Sequence, residues 1–196
     1  MLINEGGLVK ALKHDLKHGG YNIMNGGEQV TIWGNGWYLR ADWAKLPRKA
    51  LATIVEHMGM IPSGADALTV VADADPQVAM PEIVAQDVAG WLNGSGSGDA
   101  TMVPVYFAGV QVYQQDGSGR CYGVSPASLA IVERTIAEHD TAGVMDENRL
   151  YWKYGGEVVM VTAVRPAPNA AYWTQPWQKN VWEALESVDL HRPADE

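Results

Sequence analysis

Two histidines, His14 and His18, stand four residues apart in a segment whose apolar residues recur at helical spacing. That spacing places both imidazoles on one face of a helix, where a pair of histidines can chelate a divalent metal. The segment has no glutamate in a HExxH arrangement and offers no third ligand. We therefore expect solvent-exposed histidines, and the sequence predicts neither a metal nor another cofactor.

Four further residues have side chains suited to catalysis. Cys121 follows a glycine-rich turn, and His139 lies downstream as a conceivable base for a thiol nucleophile. Cys121 has no helix N-terminus beside it to lower the pKa of its thiol, so an inert cysteine is the simpler interpretation. Asp73 and Asp75 end a predicted strand and could share a cation, although Asp-Pro is also an ordinary turn sequence. An active site here requires these residues to converge in the fold.

Histidine also ends two predicted helices, at His57 and His139. A cationic imidazole at a helix C-terminus is favoured by the macrodipole. We therefore interpret both residues as helix-terminal.

Tryptophan and tyrosine form two groups along the chain, and these groups are the most suggestive feature of the sequence. Such residues are enriched at the energetic centres of protein interfaces. Packing of a terminal helix against a sheet explains them as well. The predicted binding residues are Trp33, Trp37, Tyr38 and Trp43 in the first group, and Trp173 and Trp177 in the second.

The first half of the chain has clear helix and hairpin patterns. Apolar residues at helical spacing predict one helix near residues 8–16 and another near 46–58, the second ended by Gly59. Between them, alternating residues 28–41 surround Gly34-Asn35-Gly36 and predict a β-hairpin. A strand at 67–72 and a helix at 81–92 complete this half.

The second half repeats the hairpin-then-helix pattern. Strands at 103–114 and 120–124 flank a glycine-rich turn and precede a helix from Ser125 to Glu138, with Ser125 as N-cap and Pro126 in the first turn. Strands at 149–154 and 157–164 precede a final helix at 176–188. The predicted fold is α+β, a mainly antiparallel sheet of β-hairpins with helices packed on one face, in which ββα units recur.

The domain organisation has two interpretations. A single α+β domain spanning 1–196 is our prediction. The alternative divides the chain into 1–92 and 100–196 around the Gly/Ser-rich segment 93–99.

Composition limits the class of protein and partner. The chain has 47% hydrophobic residues, one cysteine and a net charge of −9, which predicts a soluble cytoplasmic protein without a membrane segment. Charge is uneven: residues 1–62 sum to +2, from seven basic and five acidic side chains, and residues 63–196 sum to −11, from seven and eighteen. This imbalance argues against binding to nucleic acid.

The leading functional hypothesis is a non-catalytic interaction or regulatory module that binds a protein partner. One form of it is an acidic inhibitor of a basic surface, because opposite potentials favour association. The alternative is an enzyme or small-molecule-binding protein whose pocket is assembled from residues distant in sequence.

Overall fold

A computed structural model describes residues 1–62, 66–79, 98–146, 148–164 and 175–191. It confirms the α+β class, with a mainly antiparallel sheet. Among the described residues, no helix is long and apolar enough to cross a membrane. The predicted helix at 81–92, residues 93–97 of the segment 93–99, and Trp173 lie outside the described residues.

The described part of the first half contains two helices and five strands. In chain order they are α1 (Glu5–Lys17), β1 (Tyr21–Asn25), β2 (Gln29–Gly34), β3 (Trp37–Asp42), a 3-10 turn (Trp43–Lys45), α2 (Arg48–Met58), β4 (Ala67–Val70) and β5 (Gln77–Val78).

The described second half contains six strands and three helices. They are β6 (Gly98–Phe107), β7 (Val110–Gln115), β8 (Cys121–Val124), α3 (Pro126–Leu129), α4 (Arg134–His139), β9 (Ala142–Asp146), β10 (Arg149–Tyr154), β11 (Glu157–Val164) and α5 (Pro176–Glu186).

The glycines predicted to form a turn and to end a helix, and the serine predicted to cap one, have these roles in the structure. The hairpin β2–β3 turns at Gly36, whose φ of 81° lies in the left-handed region that glycine adopts without strain. Gly59 ends α2 in the same region, with φ 71°. Ser125 caps α3 by accepting a hydrogen bond from the backbone N–H of Ser128.

The strand predicted at 103–114 is wrong in its extent. Two strands, β6 and β7, occupy this region and are joined by a tight turn at Ala108 and Gly109, with φ 50° and 86°. Alanine rarely adopts a positive φ. Of the two turn residues, only Gly109 is a type that favours this turn, so the hairpin was not predicted.

The single helix predicted from Ser125 to Glu138 is also wrong, because α3 and α4 are separate. Between them the backbone runs beside the start of the chain, where Ile3 and Val132 form an isolated antiparallel bridge. Asn4 N–H donates to Ile131 C=O at 2.8 Å, and Glu133 N–H donates to Leu2 C=O at 2.6 Å. A long-range pairing therefore replaces the intrahelical hydrogen bonds.

The described strands form one sheet in the order β10-β9-β6-β7-β8-β11-β3-β2-β1-β4-β5, and every pairing is antiparallel. One edge of β11 is shared by two strands: Val158 to Val161 pair with β3, and Ala163 and Val164 pair with β8. Its other edge pairs with β10 over six residue pairs. Strand β11 thus joins two arms of the sheet.

One arm closes on itself, because β11 pairs with both β8 and β10. Strands β6 to β11 therefore form a closed ring of six. Tyr113 on β7 and Trp152 on β10 are not on neighbouring strands, yet their rings meet edge to face with centroids 5.7 Å apart. Large aromatic side chains thus fill the interior of this ring.

The two arms share one topology. In each arm three strands form a meander, helical structure follows, and a fourth strand returns to pair beside the first. The order β3-β2-β1-β4-β5 corresponds strand for strand to β8-β7-β6-β9-β10. A larger unit with the 4-1-2-3 arrangement of a Greek key therefore occurs twice, and it includes the strands of the first two predicted ββα units, whereas β11 and α5 of the third lie outside both copies.

Alternation along the strands separates an inner from an outer surface of the sheet. Inner residues of the first arm, such as Ile23 and Leu39, are fully buried with Leu12 of α1 and Ile54 of α2 in the main core. Their neighbours along the strands, including Asn22, Trp33 and Tyr38, lie on the outer surface.

Candidate protein-interaction surface

Helix α5 packs on the outer surface of the second arm. Its N-terminus is fixed by a capping box between Gln175 and Gln178, with Pro176 in the first turn. Trp182 is only 3% exposed and shares a small core with Val112 and Cys121. The helix is thus anchored by one apolar face.

A second apolar face of α5 is exposed to solvent. Trp177 is 56% exposed, Val181 37% and Val188, just beyond the helix end, 55%. Ala184 lies between them and is also exposed. Positions 177, 181, 184 and 188 follow the 4-3-4 spacing that places residues on one helical stripe. We call these four residues the α5 stripe.

Trp177 is held in place at the start of this stripe. Its ring meets that of Phe107, at the end of β6, edge to face with centroids 5.9 Å apart. Aromatic pairs of this geometry contribute about 0.5–1.5 kcal/mol beyond their buried area. More than half of the Trp177 side chain remains available to a partner even with this contact.

Acidic residues accompany the stripe. Glu183 is paired with Lys179 one turn earlier, with 3.7 Å between Nζ and Oε1. Glu186 accepts a hydrogen bond from Cys121 N–H at 3.1 Å, and Asp189 follows near the end of the described chain. Glu183 and Asp189 are exposed and place negative charge near the stripe, whereas Glu186 contacts the sheet.

The outer surface continues to the first aromatic group. Trp33 on β2 lies directly opposite Tyr38 on β3, and Tyr38 lies opposite Met160 on β11. Tyr151 on β10 extends the row, and Gly143 on β9 ends it. Both Trp33 and Tyr38 are half-buried, so they are less available to a partner than Trp177.

Trp37 and Trp43 have structural roles. Trp37 is 5% exposed, and its Nε1–H donates to Asp15 Oδ2 at 2.7 Å. Trp43 is half-buried and donates to Asn25 Oδ1 at 3.0 Å. The burial of Trp37 removes it from the predicted contact surface, because α1 supplies a buried acceptor that local sequence does not reveal.

The residues of the alternative enzymatic hypothesis are dispersed. Cys121 is fully buried on β8, and His139 is exposed at the end of α4. Asp73 and Asp75 are exposed in the turn after β4, five strands away from β8 in the sheet order. At about 4.8 Å per strand this separation is on the order of 20 Å. These four residues therefore form no common site.

The histidines do not form the pattern of a metal centre. The imidazoles of His14 and His18 stack with centroids 4.2 Å apart, and Nδ1 of His18 contacts the His14 carbonyl at 2.7 Å. Among the described residues, no group of three His, Cys, Asp or Glu side chains is placed to hold a metal ion.

His57 departs from the expectation of a cationic helix-terminal imidazole. It lies in the last turn of α2, where Nδ1 is 3.2 Å from the Tyr21 hydroxyl. Burial lowers the pKa of His57 below its ordinary value, and Lys13 lowers it further, while Glu56 acts in the opposite direction. Burial likewise raises the pKa of Tyr21.

Most of the α5 stripe was not predicted from the sequence. Residue type identifies Trp177, but it gives Val181 and Val188 no separate role. The available signal was spacing: Trp182 and Leu185 make one apolar face, and positions 177, 181, 184 and 188 make another. A helix with two apolar faces has more apolar surface than a single sheet can bury, so one face stays exposed.

No protein-family model and no curated protein matches the sequence. Solved structures that share a distant likeness include two sliding clamps. The DNA polymerase sliding clamp from Bacillus subtilis is 9% identical, with a TM-score of 0.33, over 84% of this chain and 64% of that one. A DNA polymerase III subunit beta sliding clamp from Bartonella birtlesii is 10% identical, with a TM-score of 0.25, over 88% and 64%.

The chain thus spans less than two thirds of the length of either clamp. Likeness of this degree assigns neither a family nor a function.

Proposed function

We propose that the protein is a non-catalytic interaction module that docks an amphipathic helix of a protein partner along the α5 stripe. The observation that carries this proposal is the exposure of Trp177, Val181 and Val188 on one side of a helix whose other side is buried. Contiguous exposed apolar surface is costly in water and commonly marks an interaction site.

The geometry of the stripe supports a helical partner. Its three positions within α5, Trp177, Val181 and Ala184, span about two helical turns, which matches the spacing of apolar side chains along an opposing helix. Trp177 is the natural anchor, because a tryptophan can bury roughly 150–250 Å² and such residues dominate interface energetics.

Charge supports basic residues on the flanks of that helix. Glu183 and Asp189 are exposed near the stripe, and the whole chain carries a net charge of −9. We therefore expect lysine or arginine beside the apolar face of the partner helix. Complementary charge of this kind mainly accelerates association and selects among partners.

A pair of designed helical peptides tests the proposal. Both carry leucine on one face, and the flanking positions are lysine in one peptide and glutamate in the other. We expect the lysine peptide to bind in a fluorescence anisotropy titration, with an affinity that falls as salt rises. The glutamate peptide should bind at least about tenfold more weakly.

Matched variants locate the binding site. Trp177→Ala should weaken binding of the lysine peptide by about tenfold or more, since the anchor is lost. Tyr106→Ala serves as the control, because Tyr106 is 63% exposed but lies on β6 rather than on α5. Equal effects of both variants, or binding of neither peptide, would refute the proposal. Self-association that Trp177→Ala abolishes would instead show that a second copy of this chain is the occupant.

A further inference from the structure

A cavity of about 400 Å³ lies between the β6–β7 hairpin and the two short helices α3 and α4. Its lining is mostly apolar and includes Met102 of β6, Leu129 of α3, Val132 between the helices and Ala137 of α4. Ligand pockets commonly measure about 300–1,000 Å³, and this cavity is at the lower end of that range. It therefore suits a small molecule.

The cavity lies on the opposite face of β6 from α5. Tyr106 lines it, whereas the next residue, Phe107, meets Trp177 of α5. Successive side chains of a strand point to opposite faces, so the sheet separates the cavity from the α5 stripe. No residue of the stripe lines the cavity. The cavity is therefore independent of the proposed docking surface.

A bulge in β6 adjoins the cavity. Met102 pairs with Tyr113 and Tyr106 pairs with Gln111, so four residue steps along β6 correspond to only two along β7. The side-chain amide nitrogen of Gln111 donates to two carbonyls of the bulged segment, at 2.7 and 3.0 Å. Bulges are over-represented beside active sites, because they redirect side chains. Here the bulge holds the Gln111 amide in one orientation.

Gln111 also lines the cavity, and its amide oxygen is an unused acceptor. The backbone carbonyls fix which amide atom is the nitrogen, so the other atom is the oxygen. Oε1 accepts no hydrogen bond in the described part of the chain, and it is not enclosed by protein atoms. A ligand with an N–H or O–H group can therefore donate to it.

The two charged side chains of the cavity neutralise each other. Arg134 Nε–H donates to Glu138 Oε1 at 2.6 Å, one helical turn away on α4. The other described residues of the lining carry no charge. A charged ligand would have to break this pair or lose hydration without a partner, which is costly. The cavity therefore favours an uncharged molecule.

Two side chains of the cavity suit an aromatic ring. Tyr106 is 63% exposed, and its ring contacts no other ring in the part of the chain that the structure describes. Met102 is half-buried, and a methionine sulfur packs favourably against an aromatic ring. A ring in the cavity can therefore stack on Tyr106 and contact Met102.

We propose that this cavity binds a small, uncharged aromatic molecule that carries an N–H or O–H group. The ring packs against Tyr106 and Met102, and the donor group forms a hydrogen bond to Oε1 of Gln111. A ring without a donor leaves Oε1 without a partner. A donor without a ring loses the stacking on Tyr106.

Calorimetric titration with two matched pairs of probes tests this site. Indole and 1-methylindole differ in the N–H donor, and phenol and cyclohexanol differ in the aromatic ring. We expect indole to bind with a Kd below about 1 mM. 1-Methylindole should bind about two- to tenfold more weakly, the usual effect of one uncharged hydrogen bond. Phenol should bind at least about twofold more tightly than cyclohexanol.

Three variants locate the binding site. Ala130→Phe places a ring in the cavity and should weaken indole binding by about tenfold or more. Ala127→Phe is the matched control, since Ala127 is an exposed residue of α3 that does not line the cavity. Gln111→Lys keeps a donor for the bulge carbonyls but removes the acceptor, so it should bind indole and 1-methylindole about equally.

Each result decides the proposal. Loss of indole binding in Ala130→Phe but not in Ala127→Phe supports the site even if Gln111→Lys does not fold. The proposal is overturned if neither indole nor phenol binds up to about 5 mM, or if the two phenylalanine variants weaken indole equally. Equal affinity of the unmutated protein for indole and 1-methylindole also overturns it. Trp177→Ala should leave indole binding unchanged, and a loss there would place the probe on α5 instead.

Discussion

Trp37 on β3 donates its indole N–H to Asp15 on α1 across 2.7 Å, and both residues are buried. The same carboxylate oxygen accepts the backbone N–H of Asn35 in the β2–β3 turn at 3.1 Å. Gly34 leaves room for this contact, because a Cβ there would lie 1.9 Å from Asp15 Oδ2. One carboxylate thus fixes the first hairpin to the first helix.

Asp15→Ala should destabilise the protein by about 1–3 kcal/mol, because it leaves the buried indole N–H of Trp37 without an acceptor. Urea denaturation followed by tryptophan fluorescence measures the change. Lys17→Ala, an exposed substitution on the same helix, should change the free energy of unfolding by less than about 0.5 kcal/mol. Equal effects of the two variants would contradict this role of Asp15.

Two adjacent glycines of α1 should respond in opposite directions to alanine. At Gly6 a Cβ meets only Asn4 Oδ1, at 3.6 Å, so Gly6→Ala should stabilise the protein by up to about 1 kcal/mol through helix propensity. At Gly7 a Cβ would lie 1.7 Å from the Ala130 carbonyl oxygen, and α1 or the α3–α4 connection must move.

We expect Gly7→Ala to destabilise the protein by roughly 1–3 kcal/mol, the usual cost of overpacking. Thermal melts of the two variants side by side make the comparison. A stabilising Gly7→Ala would show that α1 does not approach Ala130 closely in solution.

His57 predicts a specific dependence of stability on pH. Its pKa is lowered in the folded state, so the unfolded chain binds the proton more readily. The stabilising contribution of neutral His57 is therefore present above the ordinary histidine pKa of about 6.5 and is lost as pH falls through the lowered value.

His57→Gln should reduce the fall in the free energy of unfolding between about pH 7 and pH 5. Urea denaturation at a series of pH values tests this, with His139→Gln at an exposed helix end as the control. An unchanged slope in the His57 variant would count against the burial of this imidazole.

Gln114 should control the attachment of the last described residues. It is 1% exposed, and its amide nitrogen donates to the carbonyls of Gly119, Leu185 and Val188. Its amide oxygen accepts from Leu190 N–H at 2.8 Å.

Gln114→Leu, close in volume, removes all of these bonds. We expect faster amide exchange from Leu185 to His191 by at least about tenfold, while β1 to β3 remain protected. Uniformly faster exchange would indicate global destabilisation instead.

The sequence predicted those elements whose signals are local. The hairpins at Gly36 and Gly155, the end of α2 at Gly59 and the Ser125 cap all depend on residues within a few positions of each other. The break between α3 and α4 was not predictable, because it depends on a bridge from Ile3 to Val132. The burial of Trp37 was hidden for the same reason, since its acceptor lies 22 residues away.

For the candidate site, residue type identified Trp177 but not the stripe to which it belongs. Exposure is a property of the packed helix: Trp182 had to be placed in the core before the other face of α5 could be recognised as open.

The shared edge of β11 has a consequence for how the chain folds as it is synthesised. Residues 157–164 complete both arms, so β3 and β8 emerge from a ribosome long before the strand that joins them. Until then each nascent arm has a strand edge with unpaired backbone N–H and C=O groups, and this edge can pair with other chains. Protein quality control should therefore engage nascent chains truncated before residue 157 more strongly than chains that include residue 164.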